Sequence, residues 1–171
     1  MGDGGRNLFK NLLKRLKTRR SLKKLESMMD DTPTGETDAD YWFTKELELA
    51  AMQGDPFAQT RLATAYHEGL GVEQDPTRAF NFFLAAARQG HSGAQSMVSV
   101  SYDVGNVVPQ DLVEALFWAM LSKAAGHSLG DAMYHSIMQK VTFEQGKAAC
   151  QLLVERTDFR PEGETISFMT E

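Results

Sequence analysis

Residues 54–126 carry one pattern written twice at an interval of 36 residues. Gly54, Gly90 and Gly126 mark the interval. At the same offset Ala58-Gln59 recurs as Ala94-Gln95, Tyr66 as Tyr102, Gly69 as Gly105, and Val72 as Val108. Gln74-Asp75 recurs as Gln110-Asp111, Ala79 as Ala115, and His91-Ser92 as His127-Ser128. One register kept over so many positions is an internal repeat with the period of a helical solenoid, and it constrains the fold more than any other feature.

Each copy divides at its turn residues. Ala58, Leu62, Ala65 and Tyr66 share one side of a helix over residues 55–68, and Gly69-Leu70-Gly71 interrupts the pattern. A second helix begins near Asp75, whose carboxylate can cap free amides while Pro76 takes the first helical position, where its missing N–H costs nothing. Its apolar face runs through Ala79, Phe80, Phe83, Ala86 and Ala87, and Gly90 ends it. The unit is a helical hairpin. Its alanines let helices approach closely, and Tyr66 and Phe83 fill the space between stacked hairpins.

The run from Ala58 to Ala94 includes Tyr-His-Glu-Gly-Leu-Gly-Val-Glu-Gln-Asp, Arg-Ala-Phe and Ala-Ala-Ala-Arg-Gln-Gly-His-Ser-Gly-Ala. It resembles a Sel1-like repeat, a relative of the tetratricopeptide repeat. The second copy departs from it at Ser101 and Val107, and a Leu129-Gly130 insertion precedes Asp131-Ala132. The resemblance implies an all-α fold, a short α-solenoid of stacked helical hairpins, used as a protein-binding scaffold and usually without chemistry of its own.

Weaker half-repeats flank the clear copies at 54–90 and 90–126, so the repeat domain is expected over residues 41–157. Residues 41–53 read as the second helix of an incomplete leading repeat, with Trp42 and Phe43 packing near the N-terminal end as a cap. Ala132, Met133, Ile137 and Met138 suit a further first helix. Thr142 and Gln145 form a capping box for a last helix whose face is Ala148, Ala149, Leu152 and Leu153. Residues 158–171 read as a flexible tail.

The net charge of −5 conceals a split. Residues 1–29 hold nine basic and two acidic side chains, or +7, and the remaining 142 hold nine basic and 21 acidic ones, or −12. A basic arm thus precedes an acidic body, joined by a polar linker over residues 30–40. In the arm Leu8, Phe9, Leu12, Leu13 and Leu16 make an apolar stripe at helical spacing, with Lys10, Lys14 and Arg15 around it. These cations break every candidate apolar core of a secretory signal, and no transmembrane run is present.

Four readings of the arm stay open. It can lie in an anionic membrane interface with its leucines below the headgroups. It can dock on a partner, self-associate or fold back on the acidic body. It can bind nucleic acid, which is disfavoured because Phe9 is its one aromatic and the body repels phosphate. It can be a solvated helix without a role. The single cysteine, Cys150, excludes an internal disulfide framework, so the expected location is cytoplasmic, and peripheral at the membrane if the arm binds there.

Residues for catalysis or cofactors are not apparent. His67, His91, His127 and His135 form no ligand set at recognised spacing, so no metal is expected. Asp75 and Asp111 recur, as caps do and catalytic carboxylates need not. Tyr66, Tyr102, Phe82, Phe83, Phe117 and Trp118 fall mostly in the inter-hairpin core. No nucleophile-base pair or phosphate loop is present, and the chain reads as a non-enzymatic adaptor for another protein. Its recognition face is expected on the first helices, at Thr60, Thr64 and His67 and their equivalents Ser96, Val100 and Asp103. These differ between copies and lie opposite Leu62 and Tyr66. An acidic groove there would select a basic or amphipathic segment.

Overall fold

The computed structural model describes residues 38–157, with side chains from Thr44 onward. The arm and tail expected at residues 1–29 and 158–171, most of the linker, and the side chains of Trp42 and Phe43 lie outside these residues. The described residues form seven α-helices and no strands: α1 (Asp38–Met52), α2 (Pro56–Glu68), α3 (Pro76–Arg88), α4 (Ser92–Val104), α5 (Leu112–Ala124), α6 (Ser128–Met138) and α7 (Phe143–Arg156).

Local chemistry explains most of these boundaries. The Asp55, Asp75 and Asp111 carboxylates accept from amides in the first turns of α2, α3 and α5. The capping box of α7 is reciprocal: Thr142 Oγ1 accepts from Gln145 N at 3.3 Å, and Gln145 Oε1 accepts from Thr142 N at 2.9 Å. Helices α2 and α4 end at Gly69 and Gly105, with φ of 76° and 74°, a left-handed turn that most side chains resist. The glutamines of the repeated Gln-Asp pairs then tie the turns down. Gln74 Nε2 donates to His67 O and Gln110 Nε2 to Asp103 O, each at 2.7 Å.

Helix α2 packs between α1 and α3, α4 packs on α3, α5 and α6, and α5 meets α4, α6 and α7. Hairpin α2–α3 thus stacks on hairpin α4–α5, with α1 at one end and α6–α7 at the other. Helix α5 is surrounded, so five consecutive residues from Leu116 to Met120 are all buried. Leu62, Val98, Ile137 and Leu153 are fully buried and thread the core through all these layers. Each such aliphatic side chain contributes about 1.5–3 kcal/mol by leaving water.

The Leu129-Gly130 insertion expected from the sequence is absent. Helix α6 begins at Ser128 behind an N-cap His127, as α4 begins at Ser92 behind His91, so Gly130 stands where Ala94 stood one unit earlier. A Cβ on Gly130 would overlap Ser122. The glycine therefore permits close approach of α6 to α5 within an unbroken register.

A candidate binding cleft between the second helices

Two junctions between second helices can be compared directly, because the repeat supplies each position twice. At the first, between α1 and α3, polar side chains close the gap. Gln59 Nε2 donates to Ala51 O at 3.1 Å, and Gln59 Oε1 accepts from Gln89 Nε2 at 2.8 Å. The Tyr66 hydroxyl donates to Glu48 Oε1 at 3.1 Å and accepts from Arg78 Nη1 at 3.3 Å. The Tyr66 ring stacks on Phe82 at 6.0 Å between centroids and 1° between planes. Burial raises the Tyr66 pKa, with the Arg78 hydrogen bond opposing and the Glu48 carboxylate adding to the rise.

At the second junction, between α3 and α5, the frame is kept and the closing groups are lost. Gln95 Nε2 donates to Ala87 O at 3.3 Å, matching Gln59 and Ala51. Ala125, however, stands at the position of Gln89, Leu84 at that of Glu48, Glu114 at that of Arg78 and Trp118 at that of Phe82. Gln95 Oε1 is therefore buried without a hydrogen-bond partner, and so is Trp118 Nε1. The bond to Ala87 O fixes which end of the Gln95 amide faces the helix, since a reversed amide would set two carbonyl oxygens together. The Tyr102 hydroxyl has no hydrogen bond among the described residues. Glu114 instead binds Arg156, 2.8 Å between Oε1 and Nη1, and the Arg156 guanidinium lies over the Phe117 ring at 5.4 Å.

Where the first junction is bridged by these hydrogen bonds, the second holds a cleft of about 620 Å³. Leu84, Ala87 and Arg88 of α3 form one wall, and Glu114, Phe117, Trp118 and Leu121 of α5 the other. Gln95 and Tyr102 of α4 reach it from behind, and Arg156-Thr157 edge its end. Burial raises the Tyr102 pKa, with the Glu114 and Asp111 carboxylates adding to the rise and Arg88 and Arg156 opposing it. Arg88 makes no ion pair among the described residues. The charged side chains of the cleft are two arginines and one glutamate.

None of the six first-helix residues expected to form a recognition face lines this cleft. Thr60 and Thr64 are half-buried and return their hydroxyls to Pro56 O and Thr60 O of their own helix at 2.8 and 3.0 Å. His67 is exposed and Val100 half-buried. Two expectations are corrected. Ser96 is wholly buried, 2.7 Å from Ser122 Oγ and 3.0 Å from His127 Nδ1, because α6 covers that side of α4. Asp103 is nearly buried and ion-paired with Lys140.

The arm residues Leu8, Phe9, Lys10, Leu12, Leu13, Lys14, Arg15 and Leu16 lie outside the described residues. The sequence did hold a signal for the cleft, the replacement of Gln89, Arg78 and Glu48 by Ala125, Glu114 and Leu84.

His91 and His127 both stand at N-cap positions, and of the two only His91 caps its helix with its side chain. His91 Nδ1 accepts from Ala94 N at 3.2 Å and lies 3.2 Å from Thr60 Oγ1. Among the described residues no group of three or more His, Cys, Asp or Glu side chains could hold a metal ion, and no helix is long and apolar enough to cross a membrane. Cys150 is fully buried, and burial pushes its thiol pKa up.

The model of the Sel1 repeat matches residues 56–91 and 92–127, one α-hairpin each. The chain is similar to c5321, a protective antigen of uropathogenic Escherichia coli strains displaying an SLR fold, at 26% identity and a TM-score of 0.67. That likeness covers 72% of this chain and 27% of c5321, so this chain spans little more than a quarter of that protein. It is also similar to a Sel1 repeat protein from Oxalobacter formigenes at 33% identity and a TM-score of 0.52, over 54% of this chain and 69% of that one. No curated protein matches. The repeat interval, the paired hairpins and these likenesses agree, and the chain belongs to the Sel1-like repeat family.

Proposed function

We propose that this chain is a non-enzymatic adaptor that holds another protein in the cleft between α3 and α5. Sel1 repeat proteins are generally protein-interaction scaffolds, and the family is typically non-catalytic. The observation that carries the reading is the contrast between the two junctions. One frame is closed by Gln89, Glu48 and Arg78, and its copy is left open with two buried polar atoms unpaired. Each unpaired atom costs about 1–3 kcal/mol unless something binds it, so a partner that reaches both recovers that cost on association.

The test is to restore the closing group. Ala125 and Gln89 have nearly the same backbone, φ −79° and ψ 4° against φ −90° and ψ 6°, so Ala125→Gln can adopt the Gln89 geometry. A protein co-purifying with the full chain from its native cells should be lost with A125Q, while the melting temperature holds or rises. Undiminished capture by a folded A125Q protein would place the binding surface elsewhere.

A second reading rests on the +7 charge of residues 1–29. In it the arm locates the scaffold at an anionic membrane surface, with the repeats recruiting the partner. The full chain should then co-sediment with phosphatidylserine-containing vesicles but not neutral ones, more weakly as salt rises, and Leu12→Asp with Leu16→Asp should abolish it. Salt-insensitive sedimentation, or none, removes this reading without touching the first.

A further inference from the structure

The geometry points to an extended peptide segment that carries a carboxylate side chain close to a large apolar one as the occupant of the α3–α5 cleft. This rests on the adaptor reading and adds the chemistry of the partner. The two unpaired atoms are one acceptor, Gln95 Oε1, and one donor, Trp118 Nε1, and both residues line the cleft. A free anion would serve the donor only, and an apolar molecule neither. A helical partner brings main-chain groups already bonded to one another. An extended chain offers free N–H and C=O groups on alternate sides and can serve both.

The first junction already contains the corresponding contact made within the chain. There the carboxamide of Gln89 donates to Gln59 Oε1 at 2.8 Å, and an incoming peptide N–H would do the same for Gln95 Oε1.

Charge selects the side chain. Arg156 is neutralised by Glu114 at 2.8 Å, whereas Arg88 makes no ion pair among the described residues and keeps a net positive charge on the lining of an otherwise acidic chain. A carboxylate on the bound segment pairs with Arg88, and a lysine there would be repelled by it. Leu84, Phe117 and Leu121 supply apolar wall for a neighbouring side chain. A volume of about 620 Å³ lies within the usual range for a ligand site and suits a few residues of chain.

The test uses the nitrogen-15-labelled full chain and two pools of acetylated, amidated pentapeptides. Both pools carry Phe at the second position and Gly, Ala or Ser at the flanking ones, with Glu at the fourth position in one pool and Lys in the other. The indole N–H resonance of Trp118, identified by its loss in Trp118→Phe, is the readout, and that of Trp42 is the internal control. The Glu pool should move the Trp118 signal at micromolar to millimolar concentration. Binding should weaken at least about tenfold for the Lys pool and for Arg88→Glu, and A125Q should abolish it.

Equal response to both pools would overturn the acidic segment and leave the cleft reading standing. No response of Trp118 to either pool, with partner capture still sensitive to A125Q, would overturn the extended-peptide occupant alone. No response together with capture insensitive to A125Q would remove the cleft reading as well.

Discussion

Lys140 Nζ holds both carboxylate oxygens of Asp103, at 2.8 and 2.7 Å, across 37 residues of chain. It ties the end of α4 to the turn between α6 and α7. The Asp103 side chain is only 10% exposed, so water reaches its carboxylate poorly. Lys140→Met should lower stability by about 1–3 kcal/mol in urea unfolding, because a poorly solvated carboxylate is left unpaired. Asp103→Asn added to Lys140→Met should recover part of the loss. A cycle with no coupling between the two would show that the pair contributes nothing, as many exposed pairs do.

The two helix-ending glycines should differ when replaced. Both have positive φ, so Gly69→Val and Gly105→Val each strain the backbone. A Cβ at Gly69 has ordinary contacts, the nearest 3.6 Å away, whereas one at Gly105 would meet Gln110 Cβ at 2.8 Å and Gln110 N at 2.9 Å. Thermal unfolding should rank Gly105→Val as the more damaging by about 1–3 kcal/mol, the usual penalty of overpacking. Equal melting temperatures would mean that the Gln110 turn yields freely.

The hydroxyls facing the two N-cap histidines should also differ. Ser96 is wholly buried and bonded to Ser122 and His127, and Ser122 passes its own proton to Ser92 O at 2.8 Å. Ser96→Ala should therefore cost about 1–3 kcal/mol through the buried groups it leaves unpaired. Thr60 occupies the same position against His91 but is half-buried, with water able to replace it, so Thr60→Val should cost about 0.5–1 kcal/mol. Denaturant titration of both variants checks the order.

Alkaline pH should weaken the fold. Burial raises the Cys150 thiol above its ordinary value of 9.0, so the folded chain binds that proton more tightly than the unfolded one. Stability is then fully present below 9.0 and falls as pH rises toward the folded value. Tyr66 and Tyr102 act in the same direction above 10.0. Asp131 has the opposite sign: the Lys123 hydrogen bond lowers its pKa, so its small, exposed contribution is lost as pH falls from 3.8 toward the folded value. Melting temperatures from pH 7 to 11 should decline, and Cys150→Ala should flatten the first part of that decline. A thiol reagent at pH 8 should react with Cys150 only as fast as the chain opens.

Helix boundaries, hairpins and stacking order were legible in the residues themselves. Capping by Asp75 or Thr142, helix ending at Gly69 or Gly105 and the helical phase of Leu62, Tyr66 and Phe83 are interactions within a few residues of chain, and the interval of 36 states that neighbouring units pack alike. Helical phase could say that Ser96 and Asp103 face away from Leu62 and Tyr66. It could not say that α6 and Lys140 would cover them there, because a helix has more than one neighbour and those contacts join residues 31 and 37 positions apart. The sequence marked the replaced positions, but what they do to the cleft depended on the fold for the same reason. Whether the gap between α3 and α5 closes depends on side chains at Leu84, Gln95, Glu114 and Ala125, brought together from four places in the chain. The repeat determined that the two junctions share a frame, and only the tertiary structure decided that side chains bridge one and leave polar atoms unpaired at the other.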